Sequence, residues 1–366
     1  GATVYDRADT TRVVAVAENG TKPVLRLVLK NGNSLEVTPD HRVWAETHDQ
    51  GKVGRGHQAW LQAGTLRPGM RLLQRTDTEI QESGGDPAEL ARAEQEALLA
   101  GWLQGDGFVG QYATGTNRAL TVEFITANEA EFDALMPVIE SVFEGVHYNV
   151  TGVESDDPDL DIRRIRLYGE ALRPFVERYD LMARGLEMRV PAAVLSGGRD
   201  VARAYLRALF QADGTVRAHA GASDSFDVVL GSISQELVRD VQKLLANLGI
   251  YSRLTVSADR REDRKPYCLL SIGYRSAREK FRDLIGFVAE DKTLKLAASL
   301  TETVRGKALP EHRFESIARI EYLGEQPVYD IQTDSGCYLS GNILVHNCFI
   351  QSVNDDLVND NGIMDL

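Results

Sequence analysis

Cysteine is scarce: only Cys268, Cys337 and Cys348 occur in 366 residues, with no CxxC pair and no Cys/His ligand spacing. That excludes a disulfide scaffold and a structural zinc site, and leaves each thiol either inert or reactive. No apolar run approaches the roughly 20 residues of a membrane span, and the N-terminus lacks the basic-then-apolar pattern of a secretion signal. The expected setting is cytoplasmic, with no membrane partner. Lysine is also rare, 9 residues against 32 arginines, and none lies between Lys52 and Lys243. The formal net charge of −13 argues against a protein that coats nucleic acid indiscriminately. The charge is uneven, however: residues 91–160 carry about −11 and residues 251–310 about +5.

What is present suffices for two cores, since 43% of the residues are hydrophobic and the length exceeds that of one ordinary domain. Residues 12–44 read as β structure, with runs at Val13–Val16 and Val24–Leu29 and a hairpin turn at Asn31-Gly32, where both positions tolerate positive φ. A further β-like piece, Leu66–Leu73, carries the turn Pro68-Gly69. Around Gly84-Gly85-Asp86-Pro87 the character changes to helix, and strand character returns after Pro310. Between them the chain repeats itself once with an offset of 107 residues: Leu98 to Gly107 corresponds to Tyr205 to Gly214. Each copy predicts an α-β-β-α-β-β-α unit. The arrangement is one domain inserted into another.

Near the C-terminus stands Asn342-Ile343-Leu344-Val345-His346-Asn347-Cys348. An asparagine can attack its own backbone carbonyl with its side-chain nitrogen, closing a succinimide and breaking the peptide bond that follows. The reaction needs a protonated leaving nitrogen and a polarised carbonyl, for which a neighbouring histidine is suited. A thiol such as Cys348 can take over an acyl group as a thioester.

The run Gly341 to Cys348 closely resembles the C-terminal splice junction of inteins, and Val328-Tyr329-Asp330-Ile331 resembles the block before it. Upstream, Gly32 to His41 resembles the block whose threonine and histidine hold the N-terminal scissile amide, and Leu66-Arg67-Pro68-Gly69 resembles the segment that follows. The resemblance implies a β-rich, horseshoe-like Hint splicing domain from residues 1–85 and 309–347, bringing Ala2 and Asn347 together. It implies that His41 acts on the upstream amide with Thr38 nearby, that Asp330 assists proton transfer, that His346 assists cyclisation of Asn347, and that Cys348 accepts the acyl group. No cofactor is implied for splicing. Residues 348–366 resemble part of the large subunit of cobalamin-dependent ribonucleotide reductase, the implied host, so flanking host segments are expected partners. There are two departures. Where a second histidine is usual, Gly336 and Cys337 stand. The first residue should be Cys or Ser, yet the chain opens Gly1-Ala2-Thr3. Three readings fit: Ala2 replaces a nucleophilic cysteine and blocks splicing, Thr3 holds the nucleophile position, or the element starts with alanine naturally. The first is favoured here.

In each repeat, small residues four apart (Gly101 and Gly105; Ala208 and Ala212) allow two helices to approach closely, and each helix pattern ends in Asp-Gly. Paired helices would set Asp106 and Asp213 side by side, where two carboxylates suit Mg²⁺ and scissile phosphates. The matched decapeptides resemble the LAGLIDADG homing endonucleases, with an α/β (α+β) duplicated domain over residues 86–308. That resemblance implies cutting of double-stranded DNA, at the uninterrupted host gene, by a monomer, with β-strands of both repeats forming a saddle. The acidic balance of the first repeat adds the expectation of a shape-limited interface with local arginines such as Arg163, Arg164 and Arg166. A lysine usual before the second motif is missing: Pro191 follows Met188, Arg189 and Val190. The alternative is a DNA-binding remnant that does not cut.

Overall fold

The computed structural model describes residues 2–47, 56–79, 84–111, 118–154, 161–219, 225–257, 267–301 and 309–347. The chain divides into two compact units, Gly1–Thr78 with Pro310–Leu366, and Glu79–Leu309. The first unit opens with β1 (Thr3–Tyr5), β2 (Thr10–Leu29), β3 (Ser34–Val37), β4 (Arg42–Thr47), β5 (His57–Gln62) and β6 (Arg71–Arg75). The second runs α1 (Pro87–Asp106), β7 (Gly107–Gly110), β8 (Thr121–Thr126), α2 (Glu129–Val142), β9 (Tyr148–Gly152), β10 (Arg163–Tyr168), α3 (Arg173–Arg178) and α4 (Ala192–Leu195). It continues with α5 (Gly198–Asp213), β11 (Gly214–His219), β12 (Ser225–Ser232), α6 (Gln235–Asn247), β13 (Arg253–Ser257), β14 (Tyr267–Ile272), α7 (Arg275–Leu284) and α8 (Glu290–Thr301). The chain then returns to the first unit with β15 (His312–Thr333), β16 (Cys337–Ser340) and β17 (Ile343–His346).

The first unit is a sheet in the order β1-β2-β15-β6-β17-β4-β5, with β3 on β2 and β16 on β17. The two valine-rich runs of the sequence are one strand, not two. Exposed Glu18-Asn19-Gly20 does not end β2, because β15 pairs with it from Ile317 opposite Leu29 to Thr333 opposite Val13. Four register shifts interrupt that pairing, the last between Gln332 and Thr333. Each adds twist and re-aims side chains. The Asn31-Gly32 hairpin forms, but only Gly32 has positive φ (86°). Gly32 N donates to Leu29 O and Leu29 N to Asn33 O, so this is a three-residue loop closed by a left-handed glycine rather than a two-residue turn. The two-residue form occurs instead at Gly341-Asn342 (φ 55° and 64°), between β16 and β17. Asn342 is tied there by its side-chain nitrogen to Thr78 Oγ1 at 2.8 Å.

Strand β17 lies between β4 and β6, with Val345 opposite Val43 and Ile343 opposite Gln74. Ile343 and Val345 are fully buried with Leu27, Val43 and Leu72, so the residues leading to Asn347 are core residues.

In the second unit the two repeats build matching sheets, β7-β8-β10-β9 and β11-β12-β14-β13. Helices α1 and α5 pack together where side chains are smallest. A Cβ added at Gly101 would come 2.3 Å from Tyr205 O, and one at Gly105 would come 2.4 Å from the Ala212 Cβ. We expect Gly101→Ala to force the helices apart, at a cost of about 1–3 kcal/mol, seen as a lower Tm for this unit in calorimetry. The glycines after the aspartates end both helices, as the Asp-Gly pattern leads one to expect, but without positive φ. Gly107 (φ −143°) and Gly214 (φ −93°) run directly into β7 and β11. They are needed for room: a Cβ would meet Leu103 Cα at 2.6 Å or Phe210 O at 2.6 Å. Among the described residues no helix is long and apolar enough to cross a membrane.

Candidate active sites

The first site forms around the end of β17. The Asn347 amide nitrogen donates to Gly336 O at 3.0 Å, continuing the β16–β17 ladder by one step. Its side chain is held at both ends by one residue: Thr333 Oγ1 donates to Asn347 Oδ1 at 2.9 Å, and Asn347 Nδ2 donates to Thr333 O at 2.9 Å. His346 places Nδ1 2.9 Å from the Asn347 carbonyl oxygen, the carbonyl that cyclisation would attack. The imidazole stands edge-on to Trp60 at 5.0 Å, and Trp60 to Trp44 at 5.1 Å, so packing limits its rotation. Cys348 lies outside the described residues.

The histidine of the upstream block sits on a turn, with His41 N donating to Thr38 O at 3.1 Å. Burial lowers the His41 imidazole's pKa, Asp330 and Asp40 oppose this and His346 reinforces it, so the ring is held neutral near pH 7. The Thr38 hydroxyl bonds the Asp40 carboxylate and holds it below the usual carboxylate range. In this structure Thr38 thus serves Asp40 first. Asp330 is buried in register with Ala17 and accepts a hydrogen bond from Asn19 Nδ2. Thr38, His41 and Asp330 line a common cavity of about 600 Å³ with Arg26, Glu36, Tyr338 and Ser340.

Ala2 is exposed, and its carbonyl accepts from Val13 N at 2.8 Å. Val13 stands opposite Thr333, which holds Asn347. Two residues 345 positions apart in the chain are thus linked in three steps, Ala2 to Val13, Val13 to Thr333 and Thr333 to Asn347.

The second site lies at the paired ends of α1 and α5. Burial pushes the Asp213 carboxyl up to about 6, with the Asp106 charge adding and Lys292 opposing. Burial also raises Asp106, again opposed by Lys292. Both residues are nevertheless exposed to solvent. Among the described residues no group of three or more His, Cys, Asp or Glu side chains is placed to hold a metal. Two carboxylates do fit Mg²⁺, which commonly takes one or two protein carboxylates together with substrate phosphates.

Lys292, which sequence reasoning missed, reaches this site from α8. Its ammonium donates to Gly214 O at 2.9 Å and to Gln211 O, and it feels both aspartates. Its only sequence signal is position near the end of the second repeat. Arg189, which stands near the place of the missing lysine, is bound bidentately to Asp240 at 2.7 and 3.1 Å. The arginines of β10 are also occupied: Arg166 and Arg164 flank Glu123 at 2.7 and 3.4 Å, and Arg163 pairs with Asp161.

Comparison with known proteins gives four findings. A family model described as a LAGLIDADG-like domain matches residues 200–286. The chain is 32% identical over 366 residues to the ribonucleoside-diphosphate reductase NrdEB subunit alpha of Bacillus subtilis, covering 93% of this chain and 32% of that protein. It is 28% identical over 260 residues to a DNA polymerase of a Thermococcus species, covering 68% of this chain and 14% of the polymerase. The chain therefore spans a third or less of these relatives. Among solved structures, the homing endonuclease I-WcaI bound to its DNA recognition sequence is 18% identical, with a TM-score of 0.40 over 56% of this chain and 86% of that one. With its α1–α5 pair and matching four-stranded sheets, the second unit carries a LAGLIDADG-like domain at residues 200–286.

Proposed function

We propose that this chain is a self-splicing protein element that carries an inserted double-strand DNA endonuclease, and that Ala2 leaves it as a splicing-blocked precursor. The observation that carries the reading is the geometry at Asn347: a histidine nitrogen on the carbonyl to be attacked and a fixed orientation for the attacking side chain. The relatives add a separate argument. A reductase and a polymerase have no chemistry in common, yet both align with most of this chain and little of themselves. A segment found in such different proteins is independent of what they do.

In this reading the upstream junction is Ala2, and the upstream amide is activated by His41, whose imidazole is held neutral near pH 7 by burial. Asp330 steadies charge between the junctions, and Cys348 receives the acyl group as a thioester. Asn347 Nδ2 then bonds to its own carbonyl carbon while His346 supports proton delivery to the nitrogen of residue 348. A methyl group at position 2 cannot begin the series. With a longer N-terminal segment attached, Ala2→Cys should yield ligated flanks and a free excised element in electrophoresis. An element that starts naturally with alanine would splice that fusion with Ala2 retained.

For the second unit, Asp106 and Asp213 would hold Mg²⁺, which when bound activates water and stabilises the leaving oxygen of a phosphodiester. Through that cation the two carboxylates would orient the scissile phosphates, and Lys292, whose charge couples to both aspartates, adds a positive charge beside them. Arginines now paired with Glu123 would exchange that partner for phosphate as DNA docks on the sheet. A DNA-binding remnant that does not cut is the second reading, favoured by the commitment of Arg189 to Asp240. Plasmid cutting with Mg²⁺ at the uninterrupted host site separates the two.

A further inference from the structure

We propose that Thr333 is the positioning residue for cyclisation of Asn347, acting through both its hydroxyl and its backbone carbonyl; the proposal rests on the splicing reading above.

Thr333 is 3% exposed at the end of β15, directly after the register shift between Gln332 and Thr333. A bulge at that point aims the side chain away from the regular pleat. Its hydroxyl has one proton and two acceptors in range, Asn347 Oδ1 at 2.9 Å and Cys337 O at 3.0 Å. Ser335 Oγ also donates to Cys337 O, at 3.1 Å, so that carbonyl is satisfied without Thr333 and the threonine proton is left for Asn347. The Thr333 carbonyl is presented by a turn in which Gly336 N donates back to it at 3.2 Å, with Gly336 at φ 77°. That left-handed conformation accounts for glycine at a position where a side chain would be strained.

The two contacts also fix which end of the Asn347 amide faces which partner. Exchanging its nitrogen and oxygen would set two carbonyl oxygens 2.9 Å apart with no proton between them. Cyclisation forms a bond from Nδ2 to the Asn347 carbonyl carbon and breaks the bond to the nitrogen of residue 348. One Nδ2 proton leaves, and the departing nitrogen gains one. The remaining imide N–H keeps its bond to Thr333 O, and the threonine hydroxyl stays on Oδ1, stabilising that oxygen as the amide nitrogen gives up its proton. The clamp therefore fits both reactant and product. Its contribution is orientation rather than proton transfer.

The test follows release of residues 348–366 from the full chain by mass spectrometry, for the unaltered protein and for Thr333→Val, Thr333→Ala and Thr333→Ser. Both hydroxyl-free variants should slow release about tenfold, the usual order for one well-placed hydrogen bond in a transition state. Thr333→Ser should restore the rate to within about twofold. The pH profile should not move, because His346 is untouched. Two hydroxyl-free variants are used so that a folding defect in one, read from its Tm, leaves the other as the test. Release at or above the unaltered rate in a folded hydroxyl-free variant overturns the proposal. So does equal slowing in Thr333→Ser, which would make the effect one of shape. If the unaltered chain releases nothing, the splicing reading itself fails and the proposal falls with it.

Discussion

Asn347→Ala should keep residues 348–366 attached through any incubation in which the unaltered chain loses them. The side-chain nitrogen is the nucleophile, and alanine has none. Release needs no upstream thioester, so Ala2 does not prevent it; what it needs is the carbonyl, the attacking nitrogen and His346, all held within 3 Å contacts. His346→Ala should leave a residual reaction slowed by about 10²–10⁴, the usual contribution of a positioned acid or base. Cleavage after residue 347 that persists in Asn347→Ala would point to a protease or to a different chemistry.

The second large effect is in the other unit. Asp106→Asn or Asp213→Asn should eliminate double-strand cutting while sparing DNA binding and leaving tail release at its normal rate, because the two sites lie in separate units. A pH signature accompanies it. Burial and the neighbouring Asp106 raise the folded-state pKa of Asp213 to about 6, so the folded protein holds a proton that the unfolded chain has given up. Stability from this group is therefore present below the ordinary aspartate pKa and is lost as pH rises through about 6. Asp213→Asn should raise the Tm of this unit at pH 7 and not at pH 4, by a degree or two of about that order once solvent screening at an exposed carboxylate is counted. Mg²⁺ should raise the Tm of the unaltered protein at pH 7 more than that of the variant. Wild-type cutting by both variants would remove these carboxylates from the reaction.

What the sequence made legible was what repeats or what carries local chemistry. The 107-residue offset announced itself because Leu98 to Gly107 and Tyr205 to Gly214 keep small residues at the same two positions and the same acid, and those small residues are the helix contact. His346 and Asn347 were legible because their chemistry is that of adjacent residues. Contacts made across the fold were not. Thr333 carries no local signal in the sequence, and its two bonds to Asn347, just after a register shift in β15, exist only in the fold. Trp60 reaches His346 only because β5, β4 and β17 are neighbours. Lys292 follows Asp213 by 79 residues and returns to it on another helix. The pairing of Arg189 is hidden for the same reason: its partner Asp240 is 51 residues away, and no local pattern shows that its charge is already used.

The most direct test of the central claim is the mass of the purified chain over time at neutral pH. The account predicts two products, residues 348–366 as a free peptide and residues 1–347 ending in a succinimide, one water lighter than a chain cut by hydrolysis. An intact mass throughout, or a cut at any other bond, would contradict it.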